Sequence, residues 1–141
     1  MRRYLVVANQ TLGGEHLLDV GRQRLAAGPC RFHIVVPATP PQDQISFTEG
    51  EAEAIARDRL DGALERFRAI GADVDGEVGD GSPMLAIADA MRDGEFDEII
   101  LSTLPPGVSR WLRQDLPHRV ERSFGLPVTH VLAPVEGPPP G

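Results

Sequence analysis

Five short runs rich in β-branched and aliphatic residues alternate along this chain with longer stretches that repeat their apolar residues at the helical period. Strands separated by crossovers of that length pair in parallel, and the intervening helices cover the faces of the sheet they form. The predicted strands are Tyr4 to Ala8, Phe32 to Val36, Ala72 to Val78, Glu98 to Ser102 and Val128 to Leu132. The first is a near-continuous apolar run, as expected of a strand buried on both faces, whereas the third carries enough polar residues to be more exposed.

The helices fall between them. The first is predicted over Glu15 to Ala27, with Leu17, Leu18, Gly21 and Leu25 near one stripe and Gly28-Pro29 stopping it. The second opens on Thr48-Glu49-Gly50-Glu51, a capping box, and carries Ala52, Ile55, Ala56, Leu60, Ala63, Leu64, Phe67 and Ile70 up to Gly71. The third takes Ser82 as N-cap and Pro83 at its first position, with Leu85, Ala88 and Met91 as its inward stripe and Asp93-Gly94 as its end. After the fourth strand, Ser109 to Gln114 is long enough for one or two helical turns. Asp115 then reads as the N-cap of a last helix that holds Pro117 in its first turn and runs to Phe124, closed by Gly125.

At 141 residues the chain has room for one core, so residues 1–133 are expected to form a single α/β domain and the Pro/Gly-rich residues 134–141 a flexible tail. No apolar stretch approaches the ~20 residues of a membrane span, and Met1-Arg2-Arg3-Tyr4 leads into a strand without a signal-peptide core, so a cytoplasmic protein with no membrane partner is expected. All 14 basic residues are arginines. Without lysine, neither a Walker-type phosphate loop nor Schiff-base chemistry is available. The single cysteine, Cys30, excludes an internal disulfide and a thiolate metal cluster, and no metal site is expected. The net charge of −7 is concentrated between Asp43 and Glu98, where 16 acids face five arginines. Nucleic acid is thereby excluded as a main ligand.

This arrangement, with its long acidic second helix, the Gly79-Asp80-Gly81-Ser82-Pro83 turn, Val7-Ala8-Asn9 closing the first strand, and Leu126-Pro127-Val128 leading into the last, resembles the universal stress protein family from about Arg3 to Leu132. The resemblance implies a role in the stress response and a doubly wound five-stranded parallel sheet of order 3-2-1-4-5 with helices on both faces. It also implies a ligand cleft at the carboxyl ends of strands one and four, where the winding reverses. It further implies a homodimer paired through the last strand, with Val128, His130, Val131 and Leu132 at the interface; an apolar edge strand needs cover, and a partner strand supplies it.

Nucleotide-binding members of that family carry a G-x2-G-x9-G-(S/T) motif whose glycines let the backbone close around phosphates at a helix N-terminus. Anchored on Leu126-Pro127-Val128, its positions fall here on Ser102, Pro105, Asp115 and Leu116, and all four depart. Pro105 has no N–H, Leu116 has no hydroxyl, and a carboxylate at Asp115 would take the helix amides and repel a phosphate. ATP is therefore not expected on this loop. Asn9 stands where the family has an Asp, and can still hydrogen-bond an adenine or ribose edge.

The residues expected at the cleft are Ala8, Asn9, Thr11, Val36, Pro37, Ser102, Thr103, Gly107, Arg110 and Arg113. Arg110, Arg113, Arg119 and Arg122 follow the fourth strand and are candidates for an anion site, although charge runs of this kind are usually solvated helix faces or ion-pair partners of Asp115 and Glu121. His118 beside Asp115 would make an acid/base pair, but an N-cap Asp with a first-turn His explains the same residues, and no nucleophile is identifiable. His16, His33 and His130 lie on different elements and are read as packing or surface residues. Trp111 is read as an anchor of its segment on the core or on a partner.

The chain is accordingly expected to be a homodimeric binding or signalling module rather than an enzyme, with no catalytic residues. The alternative is a binder of ATP or AMP, including a slow hydrolase, that uses Asn9, Thr11, Ser102, Thr103 and the arginine-rich loop as a non-standard phosphate site. A third reading is a subunit that docks a protein partner on its Pro-rich segment, residues 104–114.

Overall fold

The structure, a computed structural model, describes residues 1–39, 49–107 and 109–133. Thr48 of the capping box and the tail from Pro134 lie outside the described residues. The elements follow in the order β1 (Arg2–Val7), α1 (Glu15–Ala27), β2 (Cys30–Pro37), α2 (Glu49–Ala69), β3 (Asp73–Gly79) and α3 (Pro83–Asp93), then β4 (Glu98–Thr103), α4 (Arg110–Arg113), α5 (Leu116–Phe124) and β5 (Val128–Leu132).

The five strands form one parallel sheet of order β3-β2-β1-β4-β5, as expected. In register, Tyr4 of β1 sits between Phe32 of β2 and Glu98 of β4. Alternation along each strand then sends its side chains to opposite faces. Tyr4, Val6, Phe32, Ile34 and Ile100 meet Leu17 and Leu18 of α1 and Ala56, Leu60 and Phe67 of α2. Leu5, Val7, Val35, Ile99 and Leu101 meet Ala86, Ile87 and Ala90 of α3, Trp111 of α4, and Leu116 and Val120 of α5. Two apolar layers therefore flank the sheet, and β1 and β4 are buried on both sides because helices cover both.

Helix α1 spans the predicted residues, and Gly28 follows it at φ 150. Helix α3 corrects the expected stripe. Its buried face is Pro83, Ala86, Ile87 and Ala90, and Leu85 is 55% exposed. Its polar residues Asp89, Arg92 and Asp93 share one side, and Ile87 on the buried face lies away from them. Contact with the sheet brings Ala86 inward as well: a Cβ on Gly79 would lie 2.8 Å from the Ala86 Cβ, a close approach that only a small residue there permits.

The start of α5 is a second correction. Asp115 occupies the N-cap position but makes no side-chain cap bond. It is left-handed, at φ 56 and ψ 40, whereas an N-cap side chain reaches the first-turn amides from an extended backbone. Its carboxylate lies instead 2.9 Å from His118 Nδ1.

At the amino-terminal end of the sheet, Glu98 is buried and takes a 2.7 Å bond from Arg24 of α1 and a second from the Thr129 hydroxyl of β5. The Arg24 guanidinium also stands 5.6 Å over the Tyr4 ring. These contacts tie α1 across three adjacent strands. None of the helices among the described residues is long and apolar enough to cross a membrane.

Candidate functional site

The winding reverses after β3, the chain returning past β1 to place β4 on its other side, so the loops leaving β1 and β4 separate and leave a crevice at the carboxyl ends of those strands. The loop after β1 is a tight turn in which Leu12 N–H donates to the Asn9 carbonyl at 3.3 Å and Gly14 N–H to the Thr11 carbonyl at 3.0 Å. The loop after β4 turns at Gly107, φ 88, and comes back over the cleft. Ser109 N–H donates to the Pro105 carbonyl at 3.0 Å, and the Ser109 hydroxyl accepts from Leu112 N–H at 3.1 Å to start α4. Trp111 is then buried in the core layer that also holds Val7, Leu101 and Leu116, which fixes the short helix to the sheet as its sequence suggested.

The two loops thus border a cleft at the switch point, where open α/β sheets hold their ligands. Asn9, Gln10 and Thr11 form its β1 side, Ser102, Thr103 and Leu104 its β4 side, and Thr39, Ser109, Arg110 and Trp111 its walls. Arg110 is the charged residue among those that line it. Five of the expected residues, Asn9, Thr11, Ser102, Thr103 and Arg110, are thus brought together.

The others are not. Ala8 and Val36 are wholly buried in the core, because the last turn of each strand still lies under a helix. Pro37 contributes its carbonyl, which accepts from Asn9 Nδ2 at 2.7 Å, rather than a cleft surface. Gly107 and Arg113 are exposed outside the lining, as are Arg119 and Arg122, so the cluster of four arginines resolves to Arg110 alone. The residues missed are Gln10, Thr39, Leu104, Ser109 and Trp111. Thr39 was accessible from the strand order, since β2 adjoins β1 and Thr39 stands two residues beyond its end. Ser109 was marked by its place as the cap of a short helix.

The polar groups of the cleft are organised among themselves. Thr11 Oγ1 and Ser102 Oγ lie 2.6 Å apart, joining the two loops at the cleft floor. Asn9 is held at both ends of its amide: Nδ2 donates to Pro37, and Oδ1 accepts from Arg59 Nη1 of α2. Thr103 Oγ1 donates to the Leu104 carbonyl at 2.9 Å and lies 2.7 Å from His130 Nε2 of β5. The imidazole tautomer sets which of the two donates. Burial holds the His130 pKa below its ordinary value, which favours the neutral ring.

Such a set can bind and orient: hydroxyls and an amide for a polar ligand, one guanidinium for an anionic group, and an indole for an apolar surface. The Ser102 hydroxyl is bonded to another hydroxyl, and the Thr103 hydroxyl meets both the Leu104 carbonyl and the His130 ring. The His118–Asp115 pair is exposed on α5 and does not line the cleft. Among the described residues no cluster of metal-ligating side chains occurs. His33 sits between Asp75 and Glu77 of β3, at 2.8 and 2.7 Å, in a surface network outside the cleft.

No known protein family matches the sequence, and no curated protein matches it. Solved structures do. A universal stress protein solved in complex with cAMP superposes with a TM-score of 0.62 at 22% identity, covering 94% of this chain and 98% of that one. A universal stress protein from Archaeoglobus fulgidus gives 0.59 at 17% identity, covering 93% of both chains. A universal stress protein family protein from Arabidopsis thaliana with AMP bound gives 0.61 at 10% identity, covering 99% of this chain and 97% of that one. The fold of this chain is that of the universal stress proteins over nearly its whole length, in agreement with the resemblance read from the sequence.

Proposed function

We propose that this chain is a universal-stress-protein-like binding module that takes an adenine mononucleotide of the AMP class in the β1/β4 cleft and acts by binding rather than by turnover. The observation that carries the proposal is the lining itself: at the switch point of the fold, Asn9, Thr11, Ser102, Thr103 and Ser109 supply amide and hydroxyl groups around a single cation, Arg110. Two of the structures it resembles hold cAMP and AMP respectively.

A triphosphate suits the cleft less well. Pro105 and Pro106 offer no N–H where a phosphate loop would need them, and Leu116 is fully buried in the core. One guanidinium balances a single phosphate group better than three.

Titration calorimetry with AMP, ATP and adenosine, together with mass spectrometry of small molecules released on denaturation, tests this. AMP is expected to bind more tightly than ATP. Arg110→Ala should weaken AMP by about tenfold or more, the worth of a charge-assisted hydrogen bond, while leaving adenosine unchanged. No heat with AMP and no released nucleotide would overturn the reading.

The module is further proposed to be a homodimer through β5. Among the described residues that strand ends the sheet, beside β4, and Leu132 is 43% exposed on it. An edge of this kind invites a second strand. Val131 belongs to the chain's own core, so the contact would fall on backbone and on Leu132, with Val128 and His130 half-buried beside it.

A further inference from the structure

An asparagine amide presents two N–H donors on nitrogen and two lone pairs on oxygen, and it can rotate to exchange them. At Asn9 that exchange is opposed from both sides. The Pro37 carbonyl, 2.7 Å from Nδ2, accepts one N–H, and the Arg59 guanidinium donates to Oδ1. Turning the amide over would set oxygen against the carbonyl and N–H against the guanidinium. Asn9 is only 7% exposed, so water cannot readily replace either bond.

Arg59 is well suited to hold its end. It is half-buried on α2, burial lowers its pKa without another cause, and among the described residues no carboxylate pairs with it. A guanidinium in that setting keeps its charge and directs it to the neutral amide oxygen. After both bonds are made, Asn9 retains one N–H and one lone pair, and it lines the cleft.

We infer that Arg59 is a positioning residue that locks the Asn9 amide in one orientation and so sets the cleft to read an adenine edge and to reject hypoxanthine. This rests on the adenine-mononucleotide reading above. Adenine offers an N6–H donor beside the N1 or N7 acceptor, the complement of an amide, and Asn is the side chain that pairs with it in bidentate fashion. Hypoxanthine replaces N6–H by the O6 acceptor. Its O6/N1–H edge needs the amide reversed, and its O6/N7 edge offers two acceptors that no single amide orientation satisfies.

The experiment measures the affinities of AMP and IMP for the wild type, Arg59→Met and Arg59→Lys, each checked by thermal melting for a wild-type transition. The wild type should favour AMP by on the order of tenfold to a hundredfold, the discrimination of a good bidentate pair. Arg59→Met should reduce the AMP/IMP ratio by about tenfold, because the charge-assisted restraint on Oδ1 is the stronger of the two. Arg59→Lys, which keeps a charged donor, should restore most of the ratio. A merely structural Arg59 would weaken both nucleotides in parallel. An unchanged ratio in Arg59→Met, or equal binding of AMP and IMP to the wild type, would overturn the lock while leaving the mononucleotide reading in place. Absence of AMP binding to the wild type would overturn that reading and the lock with it.

Discussion

Thr11 Oγ1 and Ser102 Oγ, separated by 91 residues of sequence, meet at 2.6 Å and join the loop after β1 to the end of β4. Both residues are buried, Ser102 to 2% exposure, so neither hydroxyl has water as a ready substitute. The bond therefore shapes the floor of the cleft and couples its geometry to the stability of the sheet.

Thr11→Val keeps the shape of the side chain and removes its hydroxyl, leaving Ser102 Oγ without its partner. The expected cost is about 1–3 kcal/mol, the penalty of an unsatisfied buried polar group. Urea denaturation measures it, and a midpoint equal to the wild type's would show that Ser102 finds another partner. The Thr11→Val/Ser102→Ala pair should recover part of the loss, since no polar group is then left unpaired.

Glu98→Ala removes the acid that Arg24 and Thr129 share at the opposite end of the sheet. Breaking a buried ion pair by deleting one partner costs about 3–5 kcal/mol. Arg24 keeps 22% of its side-chain exposure and can be partly solvated, so a value at the lower end is expected. Chemical denaturation with an unchanged m-value checks this, and a loss under about 1 kcal/mol would mean that the pair behaves as a surface one.

His130 gives stability a pH dependence of known sign. Its folded pKa lies below the ordinary 6.5 because burial disfavours the charged ring. The unfolded chain then binds the extra proton first as pH falls, so the contribution is complete above about 6.5 and is lost on acidification through the lowered folded pKa. In His130→Gln the fall in stability between neutral and mildly acidic pH should be shallower than in the wild type. Parallel curves for the two proteins would contradict it.

Leu132→Lys places a charge on the exposed side of β5 without entering the core and should shift a β5-paired dimer to monomer in light scattering. Val131→Lys is expected to behave differently and to destabilise the monomer itself, because Val131 is 7% exposed within the core cluster. A dimer that survives Leu132→Lys would place the interface elsewhere.

Much of the fold was legible because it is written in short windows. The apolar runs, the Glu15 to Ala27 helix with its Gly28 stop, and the Ser82-Pro83 start of α3 each depend on residues within one or two turns of each other. Parallel pairing followed from the length of the crossovers, and the 3-2-1-4-5 order from the resemblance to a known family. Where local signals were degenerate, the reading failed. Leu85 was read onto the inward stripe of α3 although the side that meets Gly79 is that of Ala86, and Asp115 looked like an ordinary cap although its backbone is left-handed.

The cleft divides in the same way. That Asn9, Thr11, Ser102, Thr103 and Arg110 would converge was set by their places at the ends of β1 and β4 and in the loop beyond, and those places are local. What each group does there was decided by residues far along the chain: Arg59 lies 50 residues from Asn9, and His130 lies 27 from Thr103. Hydrophobic periodicity specifies which face of an element turns inward, because that preference is additive along the element. A hydrogen-bond partner depends on strand register and on where a crossover helix lands, and these are fixed only when both apolar layers close on the sheet.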